Sequence, residues 1–289
     1  MKMKKRSYQL IIALAIILLA SGLIYQNRSQ SQSKQHQYVQ SHTPTLFFHG
    51  GGSNYHAEEY MVNAAVKAGV TKTVVRAFVD QNGKVTLKGH LSGQAINPIV
   101  EVNYADNRSV DFKQYGQYAT NVVRKLETVY HFKQINMVGH SAGNISLIYY
   151  ELLNGNKANM PKIKRQVDIA GHFAGLKFAN VPPAIRQPSH LQLDKKGRPH
   201  PMNASYREMT KVRQLYAKKQ LAVLNIIGDV GDQTDGTVAN VSTRSLKYLV
   251  QPGVSHYEVM KVNGKQAQHS KLHHNQQVNR KLIQFIWAK

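Results

Sequence analysis

Residues 135–143, Ile-Asn-Met-Val-Gly-His-Ser-Ala-Gly, constrain this chain of 289 residues more than any other stretch. Ile135 to Val138 reads as a buried strand, Gly139-x-Ser141-x-Gly143 follows with no spacer, and Asn144 to Leu153 has helical character. A strand that gives way to a helix in so few residues must turn so tightly that the serine takes a strained backbone. The flanking glycines remove the side chains that would collide there. The hydroxyl of Ser141 is then lifted above the carboxyl end of the strand, and the new helix aims its first N–H groups and positive dipole end at the same place. The pattern predicts Ser141 as a nucleophile and the amide of Ala142 as one oxyanion donor.

Short apolar runs alternate with helical patterns along the rest of the chain, the signature of a mostly parallel central sheet with helices on both faces. Thr45–Phe48, Thr73–Val79, Val85–Leu87, Ile99–Val102, Val167–Ala170, Leu221–Ile227 and Tyr257–Val262 read as further strands. Asn82-Gly83 between two of them is a hairpin signal. Residues 57–68, Phe112–Val129 and Gln276–Trp287 read as helices, the last an amphipathic closing helix. Residues 175–215, with prolines at 182, 183, 188, 199 and 201, interrupt the alternation and predict a cap or lid insertion near the site.

The N-terminus predicts an address. Lys2, Lys4, Lys5 and Arg6 precede 21 uncharged residues, Ser7 to Asn27, which as a helix would reach about 31 Å and cross a hydrocarbon core of about 30 Å. Small residues at Ala20-Ser21-Gly22 leave cleavage open. The expected organisation is a signal peptide or membrane anchor over 1–27, a Gln/Ser-rich polar linker over 28–42 and a folded domain over 43–289. Positive charge ahead of the apolar run places the folded domain on the extracellular face, anchored or secreted.

The chain contains no cysteine, so disulfides, thiolate metal sites and a cysteine nucleophile are excluded. Its 38 Lys and Arg face 15 Asp and Glu, a net charge of +23, and the first 40 residues hold only six of those cations. A domain this basic attracts anionic envelope polymers or a membrane surface through salt-screened forces. No nucleic-acid recognition module is present, so nucleic acid is not an expected partner.

A serine hydroxyl needs a base, and the base needs an orienting carboxylate. After this kind of turn the expected chain order is serine, acid, histidine. The acid should follow the late strand Leu221–Ile227. Asp235, in Asp-Gly-Thr-Val, is the choice, because an acid just before a turn and an apolar anchor can bend back toward the sheet edge; Asp229 is the rival and Asp232 the third candidate. The base should follow the last strand. Among 14 histidines, His256 precedes that strand and is too early. His269 lies ahead of Leu272 and Val278, which can pin the following turn, and is chosen over His273 and His274. His269, His273 and His274 also raise a metal reading, which the absence of a zinc-protease Glu and their expected loop position disfavour. No cofactor is expected. The second oxyanion amide should come from the glycine run after the first strand, His49-Gly50-Gly51-Gly52, with Gly51 as the predicted donor.

The segments LFFHGGGSN, INMVGHSAGN, DQTDGTV and HSKLHHNQQVNRKLIQFIW together resemble the exported α/β-hydrolase family of lactobacilli and related Gram-positive bacteria, a domain of unknown function often labelled cell-surface hydrolase. The resemblance runs from about residue 43 to the end. It implies the α/β-hydrolase fold, with Ser141 as nucleophile, Asp235 as acid and His269 as base, and an esterase- or lipase-like serine hydrolase acting on a small-molecule or lipid ester. Acyl transfer by the same three residues, and a non-catalytic basic protein that holds an anionic envelope polymer, are the alternative functions.

Overall fold

The computed structural model describes residues 9, 11–13, 16–26, 37–216, 221–251 and 253–289. Residues 11–13 and 16–26 are helical. Among the described residues no helix is long and apolar enough to cross a membrane. Much of the expected leader and linker, residues 1–8, 10, 14, 15 and 27–36, lies outside the described residues.

Eight strands form one sheet: β1 (Thr45–Phe48), β2 (Val74–Val79), β3 (Val85–Lys88), β4 (Ile99–Tyr104), β5 (Gln134–His140), β6 (Lys162–Ile169), β9 (Leu221–Asp229) and β10 (Val254–Asn263). Their order is β10-β9-β6-β5-β1-β4-β2-β3. Every pairing is parallel except β2 with β3, the hairpin that Asn82-Gly83 closes. The protein thus has an α/β-hydrolase fold.

All four residues of β1 are buried, because a central parallel strand is covered on both faces. Side chains alternate across the sheet, so Leu46 and Phe48 join one core cluster and Phe47 the other. Burying each such side chain contributes about 1.5–3 kcal/mol. The first cluster includes the apolar stripes of α2 (Phe112–Tyr130) and α3 (Gly143–Asn154); the second includes those of α1 (Glu59–Ala68) and α4 (Gln276–Trp287). Asp111 caps α2 by accepting from the Lys113 amide, and Asn275 caps α4 by accepting from Gln277 and Val278. No side chain caps α3, so its leading amides are uncommitted by any such group.

The stretch between β6 and β9 is the expected insertion. It holds a small antiparallel hairpin, β7 (Gln192–Leu193) with β8 (Pro199–His200), and the short helix Ala204–Met209. Val181, Ile185, Tyr206, Met209 and Val212 bury it against the first core cluster.

β4, β5 and β9 each run two residues beyond the expected strand, and three boundaries differ more widely. β6 starts at Lys162 and not at Val167, because the polar run Lys162–Gln166 still pairs with β5. β10 starts at Val254, so His256 lies inside the last strand, opposite Ala222, and not ahead of it. This strand forms the sheet edge, where exposed polar residues are compatible with pairing. Residues 38–42 also belong to the folded unit. Tyr38 bridges Ala288, the Val39 amide donates to Trp287 O (2.8 Å), and Asn97 Nδ2 donates to Val39 O (2.6 Å).

Two buried carboxyls set a pH dependence. Glu58 has neither oxygen hydrogen-bonded, and burial, with a smaller push from Glu101, raises its pKa to about 8. Asp168 is also pushed up to about 8 by burial, although Gln166 donates to both its oxygens. Both bind protons more tightly folded than unfolded, so their contribution is complete below the unfolded value near 4 and is lost as pH rises toward 8. Between pH 4.5 and 7 each costs about 3 kcal/mol. Glu58→Gln should therefore flatten the fall in Tm between pH 5 and pH 8 by roughly 5–10 °C. An unchanged slope in thermal-unfolding curves would contradict a protonated Glu58.

Candidate active site

Ser141 sits at the turn from β5 into α3 with φ +53°, a left-handed conformation costly for a residue with a Cβ. The glycines on either side are obligatory. A Cβ on Gly139 would meet the Asn144 amide nitrogen at 2.7 Å, and one on Gly143 would meet Phe48 O at 2.1 Å. The strained serine is held from behind: its amide donates to Ile169 O (2.9 Å), and Asn144 Nδ2 donates to both Ser141 O and Ile169 O (2.8 Å each). Asn144 Oδ1 accepts from the Ile169 amide (3.2 Å). One fully buried side chain thus fastens the turn to the end of β6.

The glycine run after β1 lies against this turn. A Cβ on Gly50 would meet Ser141 Cβ at 3.1 Å, and one on Gly51 would meet Ala142 Cβ at 3.7 Å. The run is braced from both sides. His49 Nδ1 donates to Gly50 O (2.8 Å), and its Nε2 accepts from the Tyr104 amide (3.1 Å). Those partners fix a neutral tautomer, and burial lowers the His49 pKa. The Gly52 amide donates to Asn107 O (2.7 Å).

Asp235 and His269 come from separate loops, after β9 and after β10. His269 Nδ1 lies 2.7 Å from Asp235 Oδ2, and the His269 amide donates to Asp235 O at 2.8 Å. Asp235 Oδ1 accepts from the amides of Thr237 (2.9 Å) and Val238 (2.6 Å). Both side chains are buried. The loops can meet because β9 carries Gly228: a Cβ there would meet Ala267 O at 2.2 Å and Asp235 Cβ at 2.8 Å.

The rival acids are occupied elsewhere. Asp229 ends β9 and accepts from Lys261 Nζ (2.6 Å), Asn240 Nδ2 (3.0 Å) and the amides of Gly231 and Gln233; chiefly the Lys261 bond draws its pKa down to about 2. Asp232 caps its own turn by accepting from Thr234. The segment His269–His274 is a 3₁₀ turn and not the expected loop. Among the described residues no group of His, Asp and Glu is arranged to hold a metal ion. His273 is buried with Nδ1 unpartnered, and burial lowers its pKa to about 4.

His140, to which the sequence reading gave no role, joins the two halves of the site. It is buried next to Ser141, its ring lies 4.8 Å from that of His269 and 4.6 Å from that of His273, and its Nε2 donates to His269 O (3.1 Å). Burial, and then its histidine neighbours, hold its pKa well below the ordinary value, so it stays neutral. His49 and Asn144 were likewise missed, although each directly adjoins a motif and could have been found by asking what holds a strained turn. His172 is also buried beside the site; burial lowers its pKa to about 4.

A serine on a strained turn at the start of a helix that no side chain caps, a glycine run against that turn and a histidine bound to a buried carboxylate form an arrangement suited to acyl transfer. A Listeria innocua protein of solved structure superposes with a TM-score of 0.72 at 20% identity, over 84% of this chain and 93% of that one. A Lactobacillus plantarum protein, named provisionally as a cell surface hydrolase, superposes with a TM-score of 0.64 at 20% identity, over 84% of this chain and 89% of that one. Among curated proteins, none matches the chain. The family model described as "Alpha/beta hydrolase of unknown function (DUF915)" matches residues 32–289, and the chain belongs to that family.

Proposed function

We propose that the protein is a serine hydrolase that cleaves a carboxylic ester through an acyl-enzyme on Ser141. The observation that carries this reading is the 2.7 Å contact between His269 Nδ1 and the buried Asp235 carboxylate, on a turn clamped through His140 to the strained serine. With Nδ1–H held by Asp235, Nε2 of His269 has its lone pair free for the Ser141 proton. Ser141 Oγ attacks the ester carbonyl, and the oxyanion takes hydrogen bonds from the amides of Ala142 and Gly51. His269 then protonates the departing alkoxide, and by the same proton path a water molecule releases the acid and restores the serine.

The protein acts outside the cytoplasm, secreted or held at the membrane. The basic cluster and the uncharged run Ser7–Asn27 support this placement, as does the provisional naming of the L. plantarum relative as a cell surface protein.

A fluorophosphonate tests the chemistry, because it phosphonylates a serine only when a working base and oxyanion site activate it. The purified chain should label stoichiometrically, with the adduct mapped by mass spectrometry to Ser141 and hydrolysis of short-chain aryl esters lost in parallel. An unlabelled protein, or an adduct on another serine, would overturn the proposal.

A further inference from the structure

We propose that the cleft between the tip of the β7–β8 hairpin and the helix Leu246–Val250 binds a single poly(polyol phosphate) chain. The cleft has a volume of about 460 Å³ and is lined by Asp194, Lys195, Lys196, Arg198, Arg213 and Tyr248. Its lining holds four cations and one acid. Among the described residues none of the four cations pairs with an acid within ion-pair distance. The one acid, Asp194, gives one oxygen to the turn, where Oδ1 accepts from the amides of Lys196 (2.8 Å) and Arg198 (2.9 Å), and its Oδ2 lies 3.9 Å from His200 Nε2.

The two guanidinium groups are placed by packing. Arg213 Cζ lies 3.8 Å from the centre of the Tyr248 ring, and the Arg213 side chain also donates to Tyr248 O. Arg198 Cζ approaches the same ring at 5.8 Å. Gly197, at φ +81°, lets the hairpin turn sit close to Lys247, where a Cβ would come within 3.1 Å of Lys247 Cβ. Two arginines held by one ring and two exposed lysines at the turn suit an oxyanion that accepts several hydrogen bonds at once, which is the chemistry of a phosphodiester.

Three polyanions share that chemistry, and the cleft favours one of them. Single-stranded nucleic acid needs aromatic faces on which bases stack; the one ring in the cleft is Tyr248, and Arg213 lies over it. An anionic bilayer needs a surface that seats apolar side chains among its headgroups; the cleft lining contains no aliphatic residue. A polyol phosphate chain needs neither. It is thin, flexible and charged at every repeat, so one strand can run through the cleft.

The test uses the purified chain and a synthetic poly(glycerol phosphate) of defined length, with binding read by fluorescence anisotropy. Saturable binding is expected, weakening roughly twentyfold between 50 and 200 mM salt, as for about three phosphate contacts on a single strand. Arg198→Gln/Arg213→Gln should weaken it at least tenfold. Lys195→Gln/Lys196→Gln, at an exposed turn where no fold contact is lost, should do so several-fold. Arg124→Gln/Lys125→Gln, which removes equal charge from the exposed face of α2, should change it less than twofold. An equal loss in that control would mean that only the overall charge attracts the polymer, and the site would be refuted. Phosphatidylglycerol vesicles or oligothymidylate binding as tightly, with the same sensitivity to Arg198 and Arg213, would overturn the choice of ligand. Ester hydrolysis is expected to be unaffected in these variants, so the fate of this site and that of the hydrolase reading are separable.

Discussion

Asp235→Asn is expected to lower kcat for ester hydrolysis by about 10⁴-fold while leaving the fold and KM nearly unchanged. The reason is a forced proton position. Asp235 Oδ1 accepts from the amides of Thr237 and Val238, and Oδ2 accepts from His269 Nδ1. In asparagine only one of the two positions is an acceptor. The two amides claim it, because an NH₂ group there would face two donors. The NH₂ group is left opposite His269 and can only donate, so Nδ1 must be unprotonated and the ring proton moves to Nε2. An imidazole in that tautomer cannot accept the Ser141 proton. Nitrogen NMR of the labelled histidine should report the exchanged tautomer, and kcat should report the loss. A decrease of less than tenfold would show that the carboxylate does not orient the base.

Gly143→Ala is expected to be the most damaging single methyl group in the chain. The added Cβ would lie 2.1 Å from Phe48 O, 2.7 Å from Phe48 C and 2.9 Å from His49 O. All three are backbone atoms at the end of β1, and no rotamer change relieves the collision. Either α3 tilts away or the His49–Gly52 segment shifts, and both separate Ser141 from the glycine run. Destabilisation above about 4 kcal/mol is expected, a fall in Tm on the order of 10 °C, with activity lost in whatever folds. Gly51→Ala is the matched comparison: its Cβ meets nothing closer than 3.7 Å, so stability should change by less than about 1 kcal/mol. Equal thermal shifts in the two variants would contradict this packing of β1 against α3.

What was legible in the sequence is what one side chain or one period encodes. The turn around Ser141 could be read because a chain that leaves a strand for a helix at once needs glycine at fixed offsets. α4 could be read because its apolar positions repeat with the helical period over a full 12 residues, Gln276–Trp287. Asp235 and Asp229 could be ranked but not separated. The difference lies in partners distant in the chain, with Lys261 and Asn240 engaging one and His269 the other. β10 was drawn too short, because an edge strand solvated over much of its surface carries little apolar signature. Residues 38–42 were read as unstructured for a related reason: backbone groups largely hold them, and polar side chains give no sign of it. His140 was passed over because its bond runs to a main-chain oxygen 129 residues away.

The bridge between Tyr38 and Ala288 has a mechanical meaning. Tension applied to the chain ahead of Tyr38 would enter at the last turn of α4, and not through the strand that carries the serine. The first bonds to yield would be those of Tyr38 and Val39 to the chain terminus and of Asn97 to Val39. Under such a pull Ser141, Asp235 and His269 would keep their mutual geometry while the Tyr38–Ala288 bridge peeled open, so the load would be taken up before it reached them.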